Sequence, residues 1–500
     1  MGIFYFYPWF KSRFNNIKKP RDVRIDNLFI DLNAVFHVCA QRVYGYGGRR
    51  NLLFQGCKVD DTKVYKSICD EIDRILFIVE PRMKLYLCID GVAPVGKMQR
   101  QRQRRFTHPK EHPNGFDSCC ISPGTEFMNK VRCHITNYIK ILEKNRTVSQ
   151  VVFSSDLVPG EGEHKILEYI RHTDVRERCC IYSPDADLIM LCLCSNNMSL
   201  YVAREIDGIT PCNMYYVDIE GFRKSLVNMY FRGCDQRRFI LDFVLMFFMT
   251  GNDFLPPIPI MSIRENCIER FIDAYLNMDL SLTNTDLTIN TNAMYKFLTL
   301  IASMESDIIN TKANSKRRYI EDVVMDKNKV QVDGVYSVDI NSYKKDFYKK
   351  IGVSGVSDVC NICKEYIYGL SWVLRYYVNG VTDWRWCYPY LYSPFVSDLA
   401  NYIGSISDRV LPYKTNRNKP LDLMLQLMCI MPPNSFNILP EPYRNSYKEP
   451  EIACFYPSSV EIDMGGKYRE YEGTVLLDPI DISKVELVYQ RIKERLKNIS

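Results

Sequence analysis

Apolar and polar positions follow two periods along the first 255 residues, and each change of period marks an element. Apolar runs near 28–31, 85–89, 150–153, 179–182 and 198–203 have the length of short buried strands. Stretches with helical spacing separate them: from Asn33 through His37 and Cys39, over 62–79, 125–144 and 165–171, after Asp187, and over 236–249. Gly251 follows the last of these, as a helix stop should. Strand and helix in repeated succession predict an α/β fold with a mostly parallel central sheet flanked by helices. Residues 45–57, Gly-rich and basic, read as a loop, and the prolines of 107–115 break a basic helix that begins near 97. Residues 278–350 are polar, rich in Asn, Asp and Lys, and weakly periodic, which predicts an insertion or a mobile connector. From 355 onward helical patterns alternate with aromatic loops such as Trp384-Arg-Trp386-Cys-Tyr-Pro-Tyr. The division is therefore a core over 1–277, an insertion or connector over 278–354, and a helical, aromatic-rich region over 355–500 that packs on the core. No internal repeat is visible.

Composition narrows the class. Five hundred residues exceed one hydrophobic core, and 46% hydrophobic with 25% charged residues describe a folded rather than a disordered chain. A net charge of +6 is mild, so affinity for nucleic acid must come from a local patch. The 19 cysteines lie in adjacent pairs and apolar runs rather than in a disulfide framework, which fits a reducing compartment, cytoplasm or nucleus. Cys360-Asn-Ile-Cys363 lacks a second pair nearby, so no zinc site is expected there. The start, Met-Gly-Ile-Phe-Tyr-Phe, has no basic n-region, and Phe6 stands where a myristoylation motif needs Ser or Thr. With the longest apolar run at 243–249, no membrane association is expected.

The chemistry lies at the element ends. Asp31 and Asp90 each follow an apolar strand, and Glu161 with Glu163 opens a helix. Asp185 with Asp187 follows another strand, and Asp253 closes the 236–249 helix. Any one of these alone reads as a helix cap. Together on consecutive elements of one sheet they are seven like charges that could converge only around cations. Carboxylates with almost no His or Cys suit hard ions, Mg²⁺ or Mn²⁺. Two such ions about 4 Å apart are an apparatus for phosphodiester hydrolysis. One turn beyond Asp90 come Lys97, Arg100, Arg102, Arg104 and Arg105, a grip for phosphate or else a solvated basic face.

These motifs resemble the Xrn family of 5′→3′ exoribonucleases. The likeness lies in the aromatic start, Ile30-Asp31-Leu-Asn33-Ala-Val-Phe-His37, Asp90-Gly-Val-Ala-Pro, and Lys97…Gln101…Arg104-Arg105-Phe. It continues in Phe116 to Met128, Pro159-Gly-Glu161-Gly-Glu163-His164, Asp185-Ala-Asp187, Gly251-Asn252-Asp253, Gly369 to Tyr377, and the Trp384–Trp386 loop. The resemblance implies a flap-nuclease-like (PIN-type) core in 1–277 with Asp31, Asp90, Glu161, Glu163, Asp185, Asp187 and Asp253 as catalytic ligands of two magnesium ions. It implies that Lys97, Gln101, Arg104 and Arg105 hold a 5′-monophosphate. It also implies that His37 stacks on terminal bases with Trp386 or Trp384, Trp386 being preferred, against the alternative that these aromatics are core. The expected activity is processive hydrolysis of single-stranded 5′-monophosphorylated RNA to nucleoside 5′-monophosphates. A monomer with decapping or RNA-processing partners is expected. The break at 108–115 departs from the family's long helix, which puts its projecting tower in doubt.

Two rival functions share parts of this pattern. A flap-endonuclease-like DNA nuclease should carry a Gly-rich helix-hairpin-helix after Asp253, where this chain has Pro256-Pro257-Ile-Pro259. A catalytically inert RNA-binding protein should have lost some of the seven acids, and all seven are present.

Overall fold

The computed structural model describes residues 2–46, 60–107, 116–145, 147–172, 176–196, 199–205, 214–233, 235–259, 261–315, 322–406, 416, 418–467 and 469–498. Its centre is a seven-stranded sheet of β1 (Ile17–Lys18), β2 (Asn27–Asp31), β3 (Lys84–Cys88), β4 (Gln150–Ser154), β5 (Cys179–Tyr182), β6 (Leu200–Glu205) and β7 (Met214–Asp218). Their order is β1-β7-β6-β5-β2-β3-β4. The pairs β2–β3, β3–β4, β2–β5 and β5–β6 are parallel, and β7 and β1 close one edge antiparallel.

All five residues of β2 are buried, which is why its sequence reads as a continuous apolar run. Its alternation still sorts the faces. Leu28 and Ile30 join the cluster of Phe36, Ile72 and Val131, while Phe29 joins Ile166, Ile181 and Leu188 on the other side. The chain runs from β2 to β3 to β4, then returns to the far side of β2 for β5. Connections therefore diverge at the C-terminal ends of β2 and β5, the place where open parallel sheets bind ligands. Asp31, Asp90 and Asp185 stand there because β2, β3 and β5 end there.

The predicted elements recur with small shifts of boundary, among them the helices Asp61–Val79, Val95–Thr107, Glu126–Lys144, Gly162–Arg171 and Gln236–Phe248. The expected loop at 45–57 lies largely outside the described residues, as does the break after Thr107 at 108–115. An N-terminal helix, Phe6–Arg13, buries Phe6, Trp9 and Phe10, and Trp9 meets Phe243 and Phe247.

Of the two readings of 278–350, an insertion or a mobile connector, the packing of the described residues does not fit the second. Helices Thr291–Ala302, Glu305–Ala313 and Ile340–Lys350 and the hairpin Lys329–Val332/Val335–Val338 fill it, with Met294, Phe297, Ile301, Ile309 and Met325 buried. Its Asn and Asp residues act as caps: Asn290 accepts from the Ala293 N–H, Asp322 from Met325, and Asp339 from Asn341 and Ser342. Those residues gave the stretch its linker-like composition. Its apolar residues share one cluster with the sheet and with the helix Gly355–Asn379. No helix among the described residues is long and apolar enough to cross a membrane.

Candidate active site

Short backbone contacts bring the acids together. The Gly91 N–H donates to the Gly160 carbonyl (2.9 Å) and the Gly160 N–H to the Val92 carbonyl (2.8 Å), joining the loops after β3 and β4. A Cβ on Gly91 would lie 1.9 Å from the Val158 carbonyl oxygen, so the approach needs glycine. Lys165 holds the same loop, its ammonium donating to the carbonyls of Ser155 (2.9 Å) and Val158 (3.1 Å). The Gly162 N–H donates to Asp90 Oδ1 (2.6 Å), and a Cβ at Gly162 would meet Asp31 Oδ1 at 3.0 Å and Asp90 Oδ1 at 3.1 Å. The N-terminus of the Gly162–Arg171 helix thus lies against both aspartates, where its N–H groups favour negative charge.

Asp31, Asp90, Glu161, Asp187 and Asp253 have defined partners. Asp31 is a helix cap as well, accepting from the Asn33 N–H (3.2 Å). Asn33 Nδ2 donates to Asp90 Oδ2 (2.8 Å), and the Asp90 N–H donates to Asn33 Oδ1 (3.0 Å). Glu161 stands at the N-cap of its helix yet makes no cap bond. Instead its Oε1 accepts from the Tyr376 hydroxyl (2.7 Å) and its Oε2 lies 2.5 Å from Lys97 Nζ. Lys97 Nζ also lies 2.8 Å from Asp253 Oδ2, with Arg100 Nε 3.9 Å from Asp253 Oδ1. Asp187 Oδ1 accepts from the Ile3 N–H (2.7 Å).

The electrostatics describe one cluster. Burial raises the Asp31 carboxyl well above its ordinary value, and the charges of Asp90 and Asp185 raise it further. Burial likewise raises Asp90, Glu161 and, strongly, Glu163, and it pushes Asp187 up to about 7 with help from Asp253 and Asp185. Asp253 is held far below the usual carboxylate range despite burial, because Lys97 and Arg100 face it. Burial alone would lower Lys97, but Asp253, Glu161 and Glu163 raise it strongly. The donor set is all hard oxygen and carries excess negative charge, so it fits a divalent hard cation. As the side chains stand, no three His, Cys, Asp or Glu among the described residues surround one point, and the Lys97 ammonium bridges Glu161 and Asp253.

Lys97, Gln101, Arg104 and Arg105 share one face of the helix Val95–Thr107, at spacings of four, seven and eight residues. Arg105 donates to Ser122 Oγ (2.8 Å), which anchors it to the loop before the Glu126–Lys144 helix. Burial lowers its guanidinium to about 10. Arg102 points away from this face: it is buried and donates to the carbonyls of Asp478 (2.7 Å) and Phe455, riveting the basic helix to the C-terminal region.

Trp386, the preferred stacking residue, takes up the core-packing alternative. Trp386 is 9% exposed, packs on Trp372 with ring centroids 4.7 Å apart, and sits against Gly96 and Gly369. It wedges the basic helix onto the helix Gly355–Asn379. Trp384 is half-buried, and its carbonyl accepts from the Val95 N–H (2.9 Å) at the start of the basic helix. His37 is also half-buried. Asn33, Lys165 and Tyr376 had no assigned role in the sequence. For Asn33 a signal existed, its place two residues after Asp31; for Tyr376 the signal was its place in the Gly369–Tyr377 motif, which did not reveal its role.

Two family models cover the chain, and it belongs to the family they describe, the XRN 5′-3′ exonucleases. The model of the exonuclease N-terminus matches residues 1–115 and 107–206, and that of the Xrn1 helical domain matches 233–346 and 338–499. Among curated relatives, 5′-3′ exoribonuclease 1 of Homo sapiens is 27% identical over 99% of this chain and 34% of its own length. The 5′-3′ exoribonuclease 2 homolog of Drosophila melanogaster is 26% identical over 93% of this chain and 65% of its own. For 5′-3′ exoribonuclease 1 of Saccharomyces cerevisiae the figures are 25%, 96% and 42%. The chain therefore spans between about a third and two thirds of these relatives. Among solved structures, the catalytic core of Rad2 in complex with DNA substrate aligns over 74% of this chain and 100% of that one, at a TM-score of 0.36 and 12% identity.

Proposed function

We propose that this chain is a 5′→3′ exoribonuclease acting on single-stranded RNA with a 5′-monophosphate. The observation that carries the reading is one juxtaposition: the acids that follow β2, β3, β4 and β5 lie beside Lys97 of the basic helix, which pairs with Glu161 and Asp253. Asp31, Asp90, Glu161, Glu163, Asp185, Asp187 and Asp253 would hold magnesium ions, which supply an activated water and charge at the leaving oxygen. Lys97 lies between acids and basic face, within reach of either. Gln101, Arg104 and Arg105 continue that face and would grip a terminal phosphate through charge-assisted hydrogen bonds. A partly buried face of this kind would favour a compact monophosphate over a cap or a triphosphate. His37 and Trp384 would stack on bases without regard to sequence, which lets a strand advance after each cut. The protein would act as a monomer in the cytoplasm or nucleus, alongside decapping or RNA-processing partners.

The test is incubation with 5′-monophosphate, 5′-triphosphate, capped and 5′-hydroxyl RNA and with 5′-monophosphate DNA, each with and without Mg²⁺. Nucleoside 5′-monophosphates should appear from the 5′-monophosphate RNA, and only with the metal. Equal rates on all four RNA ends, faster digestion of DNA, or full activity in chelator would overturn the proposal.

A further inference from the structure

We infer that Tyr376 is a positioning residue for Glu161, and that the C-terminal half of the chain thereby completes the reaction centre. This rests on the proposed metal-dependent nuclease reading. Tyr376 lies on the helix Gly355–Asn379, 215 positions from Glu161, and donates its hydroxyl proton to Glu161 Oε1 at 2.7 Å. Both groups are buried, so the bond is shielded from competing water. Glu161 makes no cap bond to its own helix, which leaves Tyr376 and Lys97 to fix the carboxylate. With Oε1 engaged by the hydroxyl, Oε2 is the oxygen turned toward Lys97 and Asp253.

The tyrosine is itself immobilised. Its ring stacks face to face on His164, with centroids 3.6 Å apart and planes 17° apart, and meets Phe254 and Trp372. His164 is the residue after Glu163, and Phe254 the residue after Asp253. One ring thus packs against the neighbours of two acids and bonds a third.

Tyr376→Phe removes the hydroxyl and keeps the ring stack. Groups that orient metal ligands from behind typically contribute 10–100-fold in metal affinity or activity. The variant should therefore need about tenfold more Mg²⁺ for half-maximal RNA hydrolysis, and should bind Mn²⁺ about tenfold more weakly by calorimetry in the absence of RNA. Tyr366→Phe is the control: it deletes another buried hydroxyl of the same helix, one that donates to the Pro256 carbonyl (3.1 Å), and should leave both values unchanged. Unaltered Mn²⁺ affinity and Mg²⁺ requirement in Tyr376→Phe would overturn the inference. So would an equal loss in Tyr366→Phe, which would mark a general packing effect. Because Mn²⁺ binding is read without substrate, it still decides the matter if the wild-type chain fails to cut RNA.

Discussion

Asn33 and Asp90, 57 positions apart in sequence, hold each other through two reciprocal hydrogen bonds: Asn33 Nδ2 to Asp90 Oδ2 at 2.8 Å, and the Asp90 N–H to Asn33 Oδ1 at 3.0 Å. The amide fixes both the backbone and the carboxylate of Asp90 at the end of β3, while the Asn33 backbone N–H donates to Asp31 Oδ1 (3.2 Å). Asn33→Ala should cost about 1–3 kcal/mol by leaving the Asp90 N–H without its partner. It should also slow RNA hydrolysis more than tenfold by freeing the carboxylate. Urea unfolding and initial rates measured together check this. A stability loss with an unchanged rate would show that Asp90 needs no help in orientation.

Asp185→Ala and Asp253→Ala should each abolish hydrolysis while the fold and RNA binding persist. Both acids follow an element end and are only partly buried, so removing them opens no core cavity. A ligand lost from such a site removes stabilisation needed mainly in the transition state. Circular dichroism, RNA affinity in chelator and turnover in Mg²⁺ separate these effects. Near-normal turnover in either variant would refute the assignment.

The two tryptophans should part company. Trp386→Ala should destabilise the fold by about 3–5 kcal/mol, the usual cost of emptying a buried aromatic site. Trp384→Ala and His37→Ala should leave the melting temperature nearly unchanged and shorten the run of nucleotides removed per encounter. Stacking is worth about 1–3 kcal/mol per base, enough to change residence by one to two powers of ten. Excess competitor RNA added after digestion has begun reveals the run length. Identical runs in wild type and both variants would return Trp384 and His37 to structural roles.

Magnesium should stabilise the fold more at pH 8 than at pH 6. Burial, with Asp253 and Asp185 nearby, lifts Asp187 to about 7, and Asp31 and Glu163 are raised as well. A carboxyl raised in the folded state stabilises the fold below its unfolded value, near 4, and that contribution is lost as pH rises through about 7. Above that range a cation takes the proton's place, so the gain in melting temperature on adding Mg²⁺ should grow with pH. Asp187→Asn should flatten that growth. Thermal melts at both pH values, with Mg²⁺ and with chelator, provide the measurement; a gain that is larger at pH 6 would contradict it.

Features that depend on neighbours along the chain were readable before the fold was known. The apolar run of β2, the acid that ends it and the cap on the following helix are all set by local period and local hydrogen bonding. The same holds for the four-, seven- and eight-residue spacing that puts Lys97, Gln101, Arg104 and Arg105 on one helix face. Those features were legible, and so was the parallel sheet that gathers the acids. Other features depend on contacts between distant segments. Trp384 and Trp386 are alike in sequence, and only the space left by Gly96 and Gly369 selects which one is buried. The Asn and Asp residues of 278–350 gave the composition of a connector, and only the helices they cap turned them into a packed part of the core. Tyr376 lay within the Gly369–Tyr377 motif, but its role was not legible there, because its bond to Glu161 exists only once two distant helices meet. Backbone period is written in consecutive residues; the partner of a buried polar group is chosen by the packing of the whole chain.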